Sequence, residues 1–377
     1  GTQAFDWTVP EEWNVDEAYI EDESGNRIVD FADNNLHLVG YSVPVDQWMD
    51  LEELDQHLYS LQNYPDVIPY ITSYYKRRWG FCLTHHQRLS LAHGRYHVVI
   101  RTRLEKGSLT YGELILPGRR SEEIFLSTYI CHPSMANNEL SGPVVTAALA
   151  QWLKSINREY TYRIVFVPET IGSIVYLSRN LKQMQSKIKA GFVVTCVGDE
   201  RTHSMVPSRL GGTLADRVAR HVLSKAVDYY DLYSFLDRGS DERQYCAPGV
   251  DLPVVSVMRS KYGTYPEYHT SADNLDLVTP EGLAGGFRVL SDILYTLEHN
   301  HYYQLTTFCE PQLGKRGLYP TLSTRESGSA VREMMNLLAY CDGQNDLIDV
   351  CNYANLSSLS AIELLEQLQE HELVRVL

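Results

Sequence analysis

Ile124-Phe125-Leu126-Ser127-Thr128-Tyr129-Ile130 runs directly into Cys131-His132-Pro133-Ser134-Met135-Ala136-Asn137-Asn138-Glu139-Leu140-Ser141-Gly142. The first seven residues are mostly apolar and short, as in a buried strand. From Gly142 to Ile156, Val145, Ala148, Leu149 and Leu153 fall on one helical face. The alternation then repeats. Residues 162–167, 191–197 and 252–258 read as strands. Residues 174–181, 213–226 and 280–298 read as helices, the last opened by Pro280. This order predicts an α/β fold, a mostly parallel open sheet with helices on both faces. Ligands of such sheets bind outside the carboxyl ends of the strands, where the polar run from Cys131 to Gly142 lies.

Outward from this unit, residues 1–45 read as strands and turns, and residues 50–61 have helix spacing. Residues 62–120 are rich in Tyr, Trp and His, with strands predicted at 96–102 and 108–116 and paired across Lys106-Gly107. The expected organisation is a main domain of residues 1–45 and 120–305, with an inserted small β-rich domain at 46–119. A Pro- and Gly-punctuated linker at 302–325 leads to a tail of residues 320–377. In the tail, helices at 330–341, 346–353 and 360–371 precede a strand at 373–377, the outline of a winged helix. Ser360 reads as the N-cap of the third helix, with Glu363 completing a capping box.

The 377 residues are 44% hydrophobic and 21% charged, an ordinary globular composition. Lys plus Arg is 33 and Asp plus Glu is 48, a formal charge of −15. That sign argues against nucleic acid or an anionic membrane as partner, and no apolar stretch is long enough to cross a bilayer. Seven cysteines without a CxxC pair read as neither a disulfide framework nor a zinc finger. Cys196, within Val194-Thr195-Cys196-Val197, reads as a buried reduced thiol. With no legible signal peptide, the expected compartment is the cytoplasm. A homo-oligomer stays open.

Polar clusters stand at the ends of the predicted strands: Cys131–Gly142, Pro168-Glu169-Thr170-Ile171-Gly172-Ser173, Gly198-Asp199-Glu200 and Tyr268–Asn274. Gly239-Ser240-Asp241-Glu242-Arg243 precedes the last strand. Two histidines and several carboxylates on one sheet edge suit zinc, with a position left for water. A carboxylate beside that water can take its proton, which is metal-assisted hydrolysis, most naturally of an amide.

Four stretches carry a resemblance: Phe5-Asp6-Trp7-Thr8-Val9-Pro10, Tyr129-Ile130-Cys131-His132-Pro133-Ser134, Pro168-Glu169-Thr170-Ile171-Gly172 and Tyr268-His269-Thr270. Over nearly its whole length the chain resembles the zinc-dependent aminopeptidase superfamily of bacterial leucyl aminopeptidases and glutaminyl cyclases. It looks most like bacterial aminopeptidase-like proteins with an inserted small domain and a winged-helix tail. The resemblance implies His132 and His269 as metal ligands, with Asp199 a looser match to a third. It implies Glu169 as the first of a pair of glutamates, with Thr170 in the place of the second. Ser240 and Asp241 match a supporting pair. The loop before Ser141-Gly142 reads Asn137-Asn138-Glu139 where the known enzymes carry a bridging Asp, and Ser134 breaks their His-x-Asp pair. One zinc ion rather than two is therefore expected, held by His132, His269 and a carboxylate. Glu139 stands as a substitute ligand, Asn138 as a supporting residue and Glu169 as general base. The implied activity is a zinc-dependent hydrolase of aminopeptidase type acting on a small peptide or amide. The alternative is a non-catalytic metal- or ligand-binding protein on the same scaffold.

Three further features have plainer readings. Lys76-Arg77-Arg78-Trp79, near Tyr74 and Tyr75, reads as a solvated basic turn, or as part of a cover over the site. His85-His86 shows no matching carboxylate and reads as surface. Cys131 is expected to point away from His132 if both lie on one strand. The third tail helix holds Glu363, Glu366 and Glu370 but no Lys or Arg, so the tail reads as a packing or oligomerisation module rather than a DNA reader.

Overall fold

The computed structural model describes residues 1–318 and 325–377, and side chains of 325–329 are outside the description. The expected tail boundary at residue 320 falls on residues that are not described.

Residues Glu12–Asp22 (β1), Arg27–Asp30 (β2), Val45–Asp50 (β3) and Arg95–Glu105 (β4) form an antiparallel sheet in the order β2-β1-β4-β3. This corrects the expected domain division. Residues 12–45 contribute two strands to the small unit, because β1 pairs with β4 from Glu12↔Glu105 to Asp22↔Tyr96. A pairing between segments so far apart leaves no local mark in the sequence. The helix spacing at 50–61 yields a short helix at Leu51–Asp55.

The large sheet uses Gly112–Leu116 (β5), Glu123–Tyr129 (β6), Thr161–Val167 (β7), Ile188–Val193 (β8), Ser204–Val206 (β9), Asp231–Leu232 (β10) and Val254–Met258 (β11). The order is β10-β9-β11-β8-β6-β7-β5. The four central strands run parallel, while β5 and β9 pair antiparallel with their neighbours β7 and β11. The strand expected at 108–116 thus joins the large sheet at its edge and does not pair with residues 96–102.

Both faces of this sheet are covered, which is why β6 is an almost continuous apolar run. Ile124 and Leu126 pack under Ser141–Ser155 (α1), Leu214–Ala226 (α3) and Pro280–Glu298 (α4). Phe125, on the opposite face, meets Ile171–Lys187 (α2) through Tyr176, Leu177 and Met184. Thr279 caps α4 by accepting a hydrogen bond from the Gly282 amide at 2.9 Å, and Pro280 fills its first turn.

The tail begins earlier than expected. Tyr302–Leu305 (β12) pairs antiparallel with Asp342–Asp346 (β13) and Val374–Val376 (β14), so residues 302–305 belong to the tail sheet and are not linker. Helices Arg325–Ala339 (α5), Leu347–Ala354 (α6) and Ser358–Glu370 (α7) complete it. Ser357, not Ser360, caps α7: its side chain accepts from the Ser360 amide.

Candidate metal centre

His132 follows the carboxyl end of β6, Glu169 that of β7, Asp199 the chain beyond β8, and His269 the loop after β11. The open-sheet topology therefore gathers them at one edge. A π-helical turn, Ala136–Leu140, leads into α1. Asp273 holds that turn, accepting from the amides of Ala136, Asn137 and Asn138 at 3.2, 2.5 and 3.0 Å and from the Tyr265 hydroxyl at 3.0 Å. Its signal in the sequence was its position four residues after His269.

His132 and His269 meet, with ring centroids 5.1 Å apart. His132 Nε2 lies 3.6 Å from Glu169 Oε2, and the buried His269 Nε2 has no hydrogen-bond partner. Tyr268 stacks on His269 at 3.9 Å, and Tyr70 sets its ring edge-on to both imidazoles. Tyr70 arrives on a loop of the small unit that is tied to the His269 loop. The Tyr70 amide donates to the His269 carbonyl at 2.9 Å, and Ser271 and Ile68 exchange hydrogen bonds.

Glu139 accepts from the amides of Cys131 and His132, and its Oε2 lies 3.1 Å from His132 Nδ1. It faces the ring nitrogen opposite Glu169. Cys131 does not diverge from His132: its Sγ lies 3.1 Å from Nδ1. The pleat ends at Tyr129, so strand alternation no longer applies, and Glu139 draws both residues toward itself. Donor atoms of Cys131, His132 and Glu139 lie within 4.8 Å of one another.

Asp199, expected as a ligand, already has hydrogen-bond partners. Its oxygens accept from the Arg201 amide, the Ser260 amide and hydroxyl, and Asn137 Nδ2, at 2.7–3.1 Å. A carboxylate offers about four lone-pair sites, and all are used in joining three loops. Asn138 Nδ2 donates to the Tyr129 hydroxyl at 2.8 Å, while its buried Oδ1 is unpartnered.

Ser240 Oγ donates to Glu169 Oε1 at 2.8 Å, and Asp241 accepts from the Thr170 amide and Ser173 hydroxyl, each at 2.8 Å. Thr170 has φ 62°, an outlier for a β-branched residue. Asp241 and Arg243, which donates to Thr170 Oγ1 at 2.5 Å, hold it there.

Electrostatics separate the two histidines. Burial pulls His132 down, but the Glu139 hydrogen bond and the Glu169 charge outweigh it, and its pKa is raised. Burial and the adjacent His132 push His269 down to about 3, so it is neutral at pH 7 with a lone pair to offer. Burial raises Glu169 despite His132 and Ser240, and burial with the nearby Glu169 lifts Asp241 to about 8. Burial and the Glu139 and Glu169 charges keep the Cys131 thiol protonated. Crowded carboxyl groups beside a neutral imidazole form a field that a divalent cation would relieve.

The basic turn is partly engaged elsewhere. Arg78 donates to the Thr72 carbonyl, Trp79 stacks on His57 at 3.7 Å, and the Tyr75 hydroxyl donates to the Thr8 carbonyl. His86 does have a carboxylate neighbour, Asp66 at 2.8 Å, and both are well exposed.

Comparison with known proteins agrees with this architecture. Residues 1–300 match the family described as a domain of unknown function, DUF4910, and residues 300–376 match a winged helix-turn-helix. A Clostridium acetobutylicum protein is 42% identical over all of this chain and 87% of its own length. Its name assigns it provisionally to polysaccharide biosynthesis and gives it an aminopeptidase-like domain. A crystal structure from the same organism, provisionally called a peptidase, superposes with a TM-score of 0.93 at 42% identity, covering 100% of this chain and 86% of that one. The zinc aminopeptidase of Bacillus subtilis shares the fold at a TM-score of 0.58 and 13% identity, over 77% of this chain and 83% of that one. The chain belongs to the DUF4910 family, on an aminopeptidase-like fold that ends in a winged helix.

Proposed function

We propose that the chain is a zinc-dependent hydrolase of aminopeptidase type that cleaves a small peptide or amide. The observation that carries this reading is the meeting of His132, His269 and Glu169 at the strand ends, with His269 Nε2 buried, neutral and unpartnered. Imidazole nitrogens beside an oxygen donor suit zinc. His132 Nε2 and His269 Nε2 would hold one ion, with Asn138 Oδ1 as a further donor. When bound, zinc supplies a Lewis acid and brings the pKa of water toward neutrality.

The chain's own residues do the rest. Glu139 bonds His132 Nδ1–H and so directs Nε2 toward the site, a carboxylate–imidazole arrangement that strengthens a ligand. We assign Glu139 and Asp199 to positioning rather than to the ligand set, because their oxygens are already engaged. Ser240 holds Glu169 Oε1, leaving Oε2 to take a proton from the attacking water and pass it to the leaving amine. Its raised pKa suits that exchange. Asp241 fixes the Thr170 turn behind it.

The test is hydrolysis of aminoacyl amides before and after chelation. Activity that disappears with chelator and returns with zinc supports the proposal, and activity indifferent to chelator contradicts it. The relative's name supports including amide-bearing sugars among the substrates. A second reading, a non-catalytic binding protein, is favoured by the uncharged Thr170 and Asn138. It predicts that zinc raises the melting temperature without any turnover. Seven free cysteines support a reducing compartment, which we take to be the cytoplasm.

A further inference from the structure

Arg243 sits in the short helical turn Glu242–Tyr245, directly after the Ser240-Asp241 pair. Its guanidinium donates to Thr170 Oγ1, next in sequence to Glu169, and its Nε is buried without a hydrogen-bond partner. Among the described residues no carboxylate oxygen lies within ion-pair distance of it. Several other arginines find one, though Arg78, Arg220 and Arg259 share its unpartnered buried Nε. Arg163 pairs with Glu123 and Glu113, Arg217 with Asp346 and Asp349, and Arg201 with Glu267. The Arg243 charge is felt by Glu169 and by Tyr268, the ring stacked on His269. Its bond to Thr170, the neighbour of Glu169, places it at the rim of the site.

A partly buried guanidinium bonded to a neutral hydroxyl has lost water without gaining a counter-charge. Glu169 cannot serve, since it is held by Ser240 and turned toward His132. The missing partner is best supplied by the ligand. Its planar fork of donors matches a carboxylate, which it can grip with two parallel hydrogen bonds.

We infer that Arg243 binds a carboxylate of the substrate, so that the amides this site takes are anionic, such as N-acylated amino acids or very short peptides. The inference rests on the hydrolase reading for the word substrate, and its test does not need turnover. Calorimetric titration of the zinc-loaded full chain compares N-acetylglycine with N-acetylglycinamide, which differ in the carboxylate alone. The parent is expected to bind the acid about tenfold more tightly or better, as a charged hydrogen bond implies. Arg243→Gln is expected to erase the preference, and Arg243→Lys, which keeps the charge but loses the fork, to retain part of it. A parent that shows no preference, including one that binds neither probe, overturns the assignment. So does a preference that survives in Arg243→Gln. A parent that hydrolyses neutral amides yet shows no preference sinks the role of Arg243 alone. A preference without any hydrolysis sinks the hydrolase reading alone.

Discussion

Glu139 and Glu169 flank the same imidazole from opposite nitrogens, and that difference fixes what each substitution should do. Glu169→Gln removes the proton acceptor while keeping the shape, so kcat should fall by about 100- to 10,000-fold with bound zinc unchanged. Unchanged kcat would remove Glu169 from the mechanism. Glu139→Gln should instead weaken zinc binding by about 10- to 100-fold, measured by competition with a chelating dye; unchanged affinity would contradict its orienting role. The sequence made these residues visible as polar clusters at strand ends. It did not reveal where their hydrogen bonds go. The resemblance implied Asp199 as a looser match to a ligand, and the sequence did not show that its oxygens accept from Ser260, Asn137 and Arg201. Cys131 was misjudged because strand alternation was carried beyond Tyr129, the last paired residue.

At the scale of elements, helix α4 was legible almost to the residue, since Thr279 and Pro280 mark its start chemically. What that start touches was not legible. A Cβ on Gly282 would lie 1.9 Å from the Gly198 carbonyl oxygen, so α4 packs backbone to backbone on the loop that carries Asp199. Gly282→Ala should destabilise the fold by about 1–3 kcal/mol through forced displacement of this loop. An unchanged urea midpoint would show that the contact gives way freely. The small β-rich unit was the least legible part. Its longest ladder joins residues 12–22 to residues 96–105, and no local pattern records such a pairing. The positions of Tyr70 and Ile68 against the His269 loop depend on that unit, so which of its residues meet the site was hidden with it.

Across the whole molecule, the tail is fastened to the main domain through α3 and α4. Arg217 grips Asp346 and Asp349, His221 bonds Asn352 and the Ser358 amide, and Thr296 meets Ser358. His221 accepts from the Ser358 amide at Nε2, which requires the neutral ring, and burial lowers its pKa accordingly. A base with a lowered folded pKa contributes stability above its unfolded value, and that contribution is lost as pH falls through the folded value. The parent should therefore lose more melting temperature between about pH 7.5 and 5 than His221→Gln does. Equal losses would contradict the role of His221. The start of α7 is occupied in this docking, and its free surface carries glutamates. The chain should give no salt-dependent anisotropy change with duplex DNA at low ionic strength. A salt-sensitive increase would reassign the tail as a reader.

All the chemistry argued above depends on His132 and His269 sharing one cation. Zinc content after dialysis against zinc, for the parent and for His132→Ala and His269→Ala, tests that most directly. The account predicts about one ion per parent chain and its loss in both variants, because each imidazole supplies part of the binding free energy. A parent that holds no zinc, or a variant that keeps it, would contradict the account.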